Sequence, residues 1–304
     1  MQIINAPIKN AGVDVAAFDL DNARAYRQWR DRRLAGYPAS TDGLRVPVAD
    51  PAQLTGAELA ALRDRIQRCN MAIYAIDPAQ TGREPIRALG RQLGLEHLDG
   101  NLCADEDSLT ALQVIPEGRQ QGYIPYSNLP LSWHTDGYYN KGDQMIRAML
   151  LHCVRPAASG GENALLDHEI AYIHLRDTEP AYISALMAAD AMTIPPNVEQ
   201  GVEIRGARSG PVFSVDGRTG SLHMRYTHRQ RSIEWKADTL TREAVACLRE
   251  FLASESDYIF RHRLAPGEGI VCNNVLHSRS GFDDDPAQPR LLYRARYYDR
   301  ISET

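Results

Sequence analysis

The chain has 304 residues, 43% hydrophobic and 24% charged, with a formal net charge of −5 and a pI near 6.0. That balance fits a globular fold and excludes both intrinsic disorder and a general nucleic-acid binder, which carries a basic excess to neutralise phosphates. No apolar run approaches the ~18 residues of a membrane span, and Met1 to Asp19 lacks the pattern of a secretion signal, so a cytoplasmic protein without membrane partners is expected. The five cysteines are scattered, the closest pair being Cys247 and Cys272, as in a reduced compartment and without a zinc knuckle.

In chain order, Arg24, Arg27, Arg30, Arg32 and Arg33, with Asp21 and Asp31 among them, read as the solvated face of a helix. Thr55 and Glu58 have capping-box spacing, and Leu59, Leu62 and Ile66 recur at helical intervals, which predicts a helix over 55–69. A buried strand over Met71 to Ile76 and a helix from Pro85 to Leu93, stopped by Gly94, follow. From Leu109 the texture turns to short β-type runs: 109–115, 145–154, 164–167, 212–215, 222–227, 269–273 and 291–298. Helices interrupt at 169–189, with a break near Pro180, and at 239–252; the Gly-, Pro- and charge-rich stretch 194–218 reads as a mobile insertion. The expected fold is mainly β with flanking helices, a barrel or jelly roll. One domain over 1–304 is expected, with mostly helical decoration and first strands in 1–105 and the β core with helical insertions in 106–304. No dinucleotide, P-loop, zincin or serine-hydrolase motif is present.

A His-x-Asp spacing puts two metal-binding side chains on one face of a strand. With nine histidines about one chance match is expected, and the chain has two, His97/Asp99 and His134/Asp136. His97 sits just past the predicted helix stop and reads as a capping or surface residue. His134 lies in Ser132-Trp133-His134-Thr135-Asp136-Gly137-Tyr138-Tyr139, where a structural histidine is the competing reading. Downstream, the apolar run from Gly269 to Cys272 gives way to Asn273-Asn274-Val275-Leu276-His277, a strand delivering a second histidine at its exit. Two histidines and a carboxylate arranged facially leave three positions open, the arrangement of non-haem iron(II) oxygenases. Thirteen positions beyond His277, Arg290 opens a strand on which Arg290, Arg294 and Arg296 share a face by period two. Such like charges need anions between them, either ligands or surface partners among Asp283, Asp284, Asp285 and Asp299.

Together Trp133-His134-Thr135-Asp136, the distal Asn273-Asn274-x-x-His277 and Arg290-x-x-x-Arg294 resemble the taurine dioxygenase family of iron(II)/2-oxoglutarate oxygenases. Leu129-Pro130-Leu131-Ser132, Leu150-Leu151-His152-Cys153 and the Gly160-Gly161 turn are similar to its γ-butyrobetaine hydroxylase branch, and the likeness covers roughly residues 70 to 300. The resemblance implies a double-stranded β-helix (jelly roll) core. It makes His134, Asp136 and His277 the iron(II) ligands and Arg290 the bidentate partner of the far carboxylate of 2-oxoglutarate. Where relatives place a threonine two positions past the Gly-Gly turn, this chain has Asn163, whose amide can donate to the same carboxylate.

The implied reaction is hydroxylation of an unactivated C–H bond with dioxygen, releasing succinate and carbon dioxide. Related halogenases replace the metal carboxylate by a small residue, so Asp136 disfavours halogenation; hydroxylation is expected, with desaturation or oxidative cleavage of a hydroxylated product as the alternatives. Arg294 matches a position that in the family faces the substrate's acidic group, which implies a small anionic or zwitterionic substrate. Tyr138 and Tyr139 either line the pocket or pack under the barrel rim, and Arg225 and Tyr226 are further pocket candidates. Two other readings stand beside this one: a non-catalytic jelly-roll binding protein and a metal-dependent hydrolase, for which no general base is identifiable. Homo-oligomerisation is left open.

Overall fold

The computed structural model describes residues 15–100, 108–114, 124–199, 201–229 and 233–304. Cys103, Ile115 and the first residues of the N-terminus lie outside them. The helices are α1 (Ala23–Ala35), α2 (Gly56–Cys69), α3 (Arg83–Gln92), α4 (His168–Thr178), α5 (Pro180–Leu186) and α6 (Thr239–Ala253). The strands of the two large sheets, in chain order, are β1 (Arg45–Pro47), β2 (Met71–Ala75), β3 (Thr110–Leu112), β4 (Leu131–His134), β5 (Ala148–Arg155), β6 (Asn163–Leu166), β7 (Phe260–His262), β8 (Glu268–Cys272), β9 (Leu276–Arg279) and β10 (Leu291–Tyr297).

Local signals act as expected in the N-terminal third. The Thr55 hydroxyl accepts from the Glu58 amide while the Glu58 carboxylate accepts from the Thr55 amide, closing the capping box of α2. Gly94, with φ +80°, sits just past α3. Pro180 ends the first of two consecutive helices by opening the second, with Glu179 as its N-cap.

One sheet runs β1-β2-β8-β5-β10-β3 and the other β7-β6-β9-β4, antiparallel except for the β1–β2 pair. The two sheets form a jelly roll, and period-two alternation decides what lies between them. On β5, Ala148 and Leu150 turn outward under α2 and α3, joining Leu62, Ile66 and Leu89. Met149, Leu151 and Cys153 turn inward against Leu165, Phe260 and Val275 of the other layer. Each fully buried aliphatic side chain contributes about 1.5–3 kcal/mol relative to exposure. A third cluster packs α4, α5 and α6 behind the second sheet against Ala164, Leu166 and Leu276. On β10, Leu292 faces the inter-sheet core while Ala295 and Tyr297 face the helices. The parity of Arg294 and Arg296 therefore directs them between the sheets.

Gly269 on β8 is flanked in register by Tyr74 and His152. A Cβ there would lie 2.2 Å from the Tyr74 ring. Its absence lets Tyr74 reach across the strand, stack on His152 at 5.7 Å and hydrogen-bond its Nδ1 at 3.1 Å.

One expectation needs correction. The α1 arginines are not a uniformly solvated face: Arg30 Nε pairs with Asp177 at 2.6 Å, and Arg33 pairs with buried Glu169 and, at 3.7 Å, Asp167. These contacts dock α1 on the start and end of α4. Within the stretch read as an insertion, the short strands Asn197–Glu199, Val202–Arg205, Arg208–Gly210 and Phe213–Val215 pair in small sheets apart from the two large ones.

Candidate metal centre

The centre is assembled by the β4–β9 pairing, in which His134 and His277 are direct cross-strand partners. Their rings lie 4.2 Å apart between centroids. Asp136 follows two residues later, just past the end of β4. One ligand atom from each of His134, Asp136 and His277 lies within 4.8 Å of the others, and all three residues are buried. Each histidine is oriented the same way: Nδ1 of His134 lies 2.9 Å from the Ser132 carbonyl and Nδ1 of His277 lies 3.0 Å from the Val275 carbonyl. A carbonyl can only accept, so Nδ1 carries the proton in both rings and Nε2 presents a lone pair. Burial, and then the neighbouring His277, push the His134 pKa down to about 3, so its ring is neutral near pH 7. Burial lowers His277 as well.

Asp136 is charged in spite of its burial. Burial raises a carboxyl pKa, but Arg294 and Arg296 outweigh it and hold Asp136 well below the usual range. Arg294 Nη1 donates to Asp136 Oδ1 at 3.1 Å, and Arg296 Nη1 lies 3.9 Å from the same oxygen. Oδ2 is buried and has no partner. A buried carboxylate oxygen left bare costs several kcal/mol unless a cation sits there. Two neutral imidazole nitrogens and a bare carboxylate oxygen fit a divalent transition metal with open positions. The surface acids considered for the arginine face form no direct ion pair with it: Asp299 holds His97, and Asp284 accepts the Arg290 backbone N–H and acts on its guanidinium only at longer range.

His277, Arg290, Arg294 and Asn163 line one cavity whose apolar walls include Leu131 and Leu151. Arg290 is buried, and its guanidinium lies 4.9 Å from the Phe282 ring centroid. Burial pulls its pKa down to about 10, which leaves it cationic near pH 7. The Gly160-Gly161 turn has φ values of +68° and +73°, and a Cβ on Gly161 would lie 3.8 Å from Arg290 Nε. A Cβ on Gly160 would collide with the Gly281 carbonyl at 2.3 Å.

Tyr138 is buried edge-on to His134 at 6.5 Å, and Tyr139 accepts from Arg296 through its hydroxyl at 2.8 Å. Arg225 is a correction. Its guanidinium donates to the carbonyls of Tyr138, Met192, Gly210 and Arg208, so it ties strands together and is not among the cavity residues. Tyr226 is a core residue.

Three contributors went unread in the sequence. Asn274 holds Asp136 from both sides of its backbone, accepting from its N–H at 2.8 Å and donating to its carbonyl at 3.0 Å, with a further bond to Ile146 O at 2.7 Å. Its φ of +52° is a conformation asparagine tolerates, and the Asn-Asn pair before His277 was the available signal. Asp99 ion-pairs with Arg296 from the far side, so the second His-x-Asp supplies a counter-charge. Arg279, two residues past His277, joins the cavity lining and faces Phe282 at 4.8 Å.

Among described residues no helix is long and apolar enough to cross a membrane. The chain is similar to two proteins named uridine-5′-phosphate dioxygenase. The Streptomyces protein is 32% identical over 233 residues, covering 73% of this chain and 81% of that one. The Amycolatopsis protein is 32% identical over 174 residues, 54% of this chain and 60% of its own length, which is under two thirds. Among solved structures, an asparagine oxygenase with Fe(II), 2S,3S-3-hydroxyasparagine and succinate matches with TM-score 0.57 and 15% identity, over 79% of this chain and 78% of that one. AAD-2 with Mn(II) and N-oxalylglycine matches with TM-score 0.56 and 13% identity, over 84% and 96%. These neighbours share the jelly-roll fold. The family model described as taurine catabolism dioxygenase TauD, TfdA matches residues 30–296, and the chain belongs to that family of iron(II)- and 2-oxoglutarate-dependent dioxygenases.

Proposed function

We propose that His134, Asp136 and His277 hold iron(II), that Arg290 and Asn163 hold 2-oxoglutarate, and that the chain hydroxylates a small anionic substrate as one oxygenase domain. The observation that carries this reading is the buried, unpartnered Asp136 Oδ2 beside two imidazole nitrogens with free lone pairs. Bound there, the metal with dioxygen and 2-oxoglutarate supplies oxidative decarboxylation to succinate and carbon dioxide, one oxygen atom entering a substrate C–H bond. The rest is the work of the chain's own side chains. Arg290 and Asn163 fix the far carboxylate of the oxo-acid, and the Gly160-Gly161 turn lets the backbone lie against Arg290. Leu131 and Leu151 exclude water from the cavity. Arg294 orients Asp136 through Nη1, and its buried, unpartnered Nε remains to meet an acidic group of the substrate. Tyr138 and Tyr139 close the side of the metal loop.

The two relatives named for uridine-5′-phosphate support a nucleoside monophosphate as the first substrate to test. We place the enzyme in the cytoplasm, where unpaired thiols such as Cys69, Cys153, Cys247 and Cys272 persist. The test is anaerobic titration with iron(II) and 2-oxoglutarate, read by the visible charge-transfer band of the chelate. His134→Ala should abolish the band, whereas His97→Ala, at an exposed residue held by Asp299, should leave it intact. A wild-type protein that binds metal without the band and forms no succinate with any substrate overturns the assignment.

A further inference from the structure

Near the metal loop lies a set of positive charges that the proposed reaction does not use. Arg205 ends the strand Val202–Arg205, Arg208 opens the strand Arg208–Gly210, and Arg229 follows the strand Leu222–Met224. Arg205 and Arg229 lie near Tyr138, and Arg208 lies near Arg205. The Arg229 guanidinium is 5.9 Å from the Tyr138 ring centroid, and Arg205 interacts electrostatically with Tyr138 and Tyr139. Tyr138 in turn sits 6.5 Å from the His134 ring, so the cluster borders the metal centre.

Among the described residues none of the three is held in an ion pair, although the Glu203 carboxylate lies near Arg208 across Gly206. The guanidinium groups at the centre have counter-ions: Arg294 has Asp136, and Arg296 has Asp99. Among the described residues no carboxylate forms a salt bridge with Arg205, Arg208 or Arg229. Arg205 gives its Nη groups to the Gly206 and Pro195 carbonyls, and Arg208 gives Nη1 to Ala207. Arg208 Nε is buried with no acceptor, and Arg229 is exposed. Burial, then the nearby Arg208, lower the pKa of Arg205, which reports like charges held together. Arg225 adds a fourth positive charge while its N–H groups clamp the backbone of Tyr138 and Arg208, so the cluster is held on a braced frame. Glu203 offsets at most one of these like charges; the excess is unfavourable unless a ligand supplies more negative charge, and several guanidinium groups suit a group bearing more than one.

We propose that Arg205, Arg208 and Arg229 form an anion subsite beside Tyr138, outside the cavity that holds Arg290 and Arg294, that receives a phosphate monoester carried by the substrate. This rests on the oxygenase reading and deepens it: the substrate is a phosphorylated small molecule, its phosphate read beside Tyr138. Arg294, already offset by Asp136, is then a minor contributor to charge recognition.

The experiment is oxygen-free calorimetric titration of the manganese- and 2-oxoglutarate-loaded protein with uridine-5′-phosphate, ribose-5-phosphate, inorganic phosphate and uridine. At least one phosphomonoester should bind about tenfold or more tighter than uridine. Arg208→Ala and Arg229→Ala should each weaken it by about tenfold while leaving uridine and 2-oxoglutarate affinities unchanged. Arg229→Lys should retain most of the affinity, and Arg225→Met should lower thermal stability instead. The subsite is overturned if no phosphorylated compound binds, if none is preferred over uridine, if the alanine variants weaken uridine equally, or if only Arg294→Leu removes the preference. The iron chelate band in parallel samples separates the two failures. A missing band in wild type refutes the oxygenase reading, and a normal band without phosphate preference refutes the subsite alone.

Discussion

Asn274→Ala is the most demanding test of how the centre is held. The substitution strips three hydrogen bonds at 2.7–3.0 Å from a residue that is 1% exposed. The Asp136 N–H and the carbonyls of Asp136 and Ile146 lose these partners, each worth about 1–3 kcal/mol when left unsatisfied. Alanine must also adopt the positive φ that asparagine tolerates, at roughly 1 kcal/mol. Water entering the space offsets part of this, so a loss of about 3–5 kcal/mol is expected in urea unfolding of the metal-free protein. Freed from its clamp, Asp136 should no longer meet the two histidines, and manganese affinity measured by electron paramagnetic resonance should fall at least about tenfold. Asn274→Asp, which keeps the acceptor for Asp136 N–H but not the donors, should fall between. A variant within 1 kcal/mol of wild type that binds manganese equally well would refute the positioning role.

Other outcomes follow from the same geometry. Arg290→Leu should raise the apparent KM for 2-oxoglutarate about a hundredfold with metal affinity preserved, and Asn163→Ala should raise it by less, both read by succinate release. Arg33→Met should destabilise the protein by about 2–4 kcal/mol in denaturant titration, because it removes the direct ion-pair partner of buried Asp167 and Glu169 and leaves only Arg300 to offset them. The metal-free protein should lose stability as pH falls from about 6.5 towards 4. Burial holds His152 and His168 down to about 4, so the unfolded chain takes up their protons first, worth up to about 3 kcal/mol each. Urea midpoints across that range check the slope, which should be shallower in His168→Gln.

The amino-acid sequence by itself determined the elements with strong local causes. The Thr55–Glu58 capping box, the Gly94 stop, the Pro180 break and the alternation on β5 and β10 are written in neighbouring residues, and the structure keeps them. The candidate ligands were also legible, because His134 and Asp136 are two apart and His277 closes an apolar strand. Tertiary structure alone decided the use of the remaining charges. Arg225 and Arg229 are four residues apart, yet one is spent on four carbonyls and the other is exposed beside Tyr138. Arg33 looks like any other arginine of α1 until α4 brings Asp167 and Glu169 against it. Asp99, discounted with His97, becomes the counter-ion of Arg296 across the sheet, and Asn274 reaches Asp136 over 138 positions of sequence. A charge's role depends on which opposite charge or carbonyl the fold places within about 3 Å of it, and that partner is seldom a neighbour in the chain.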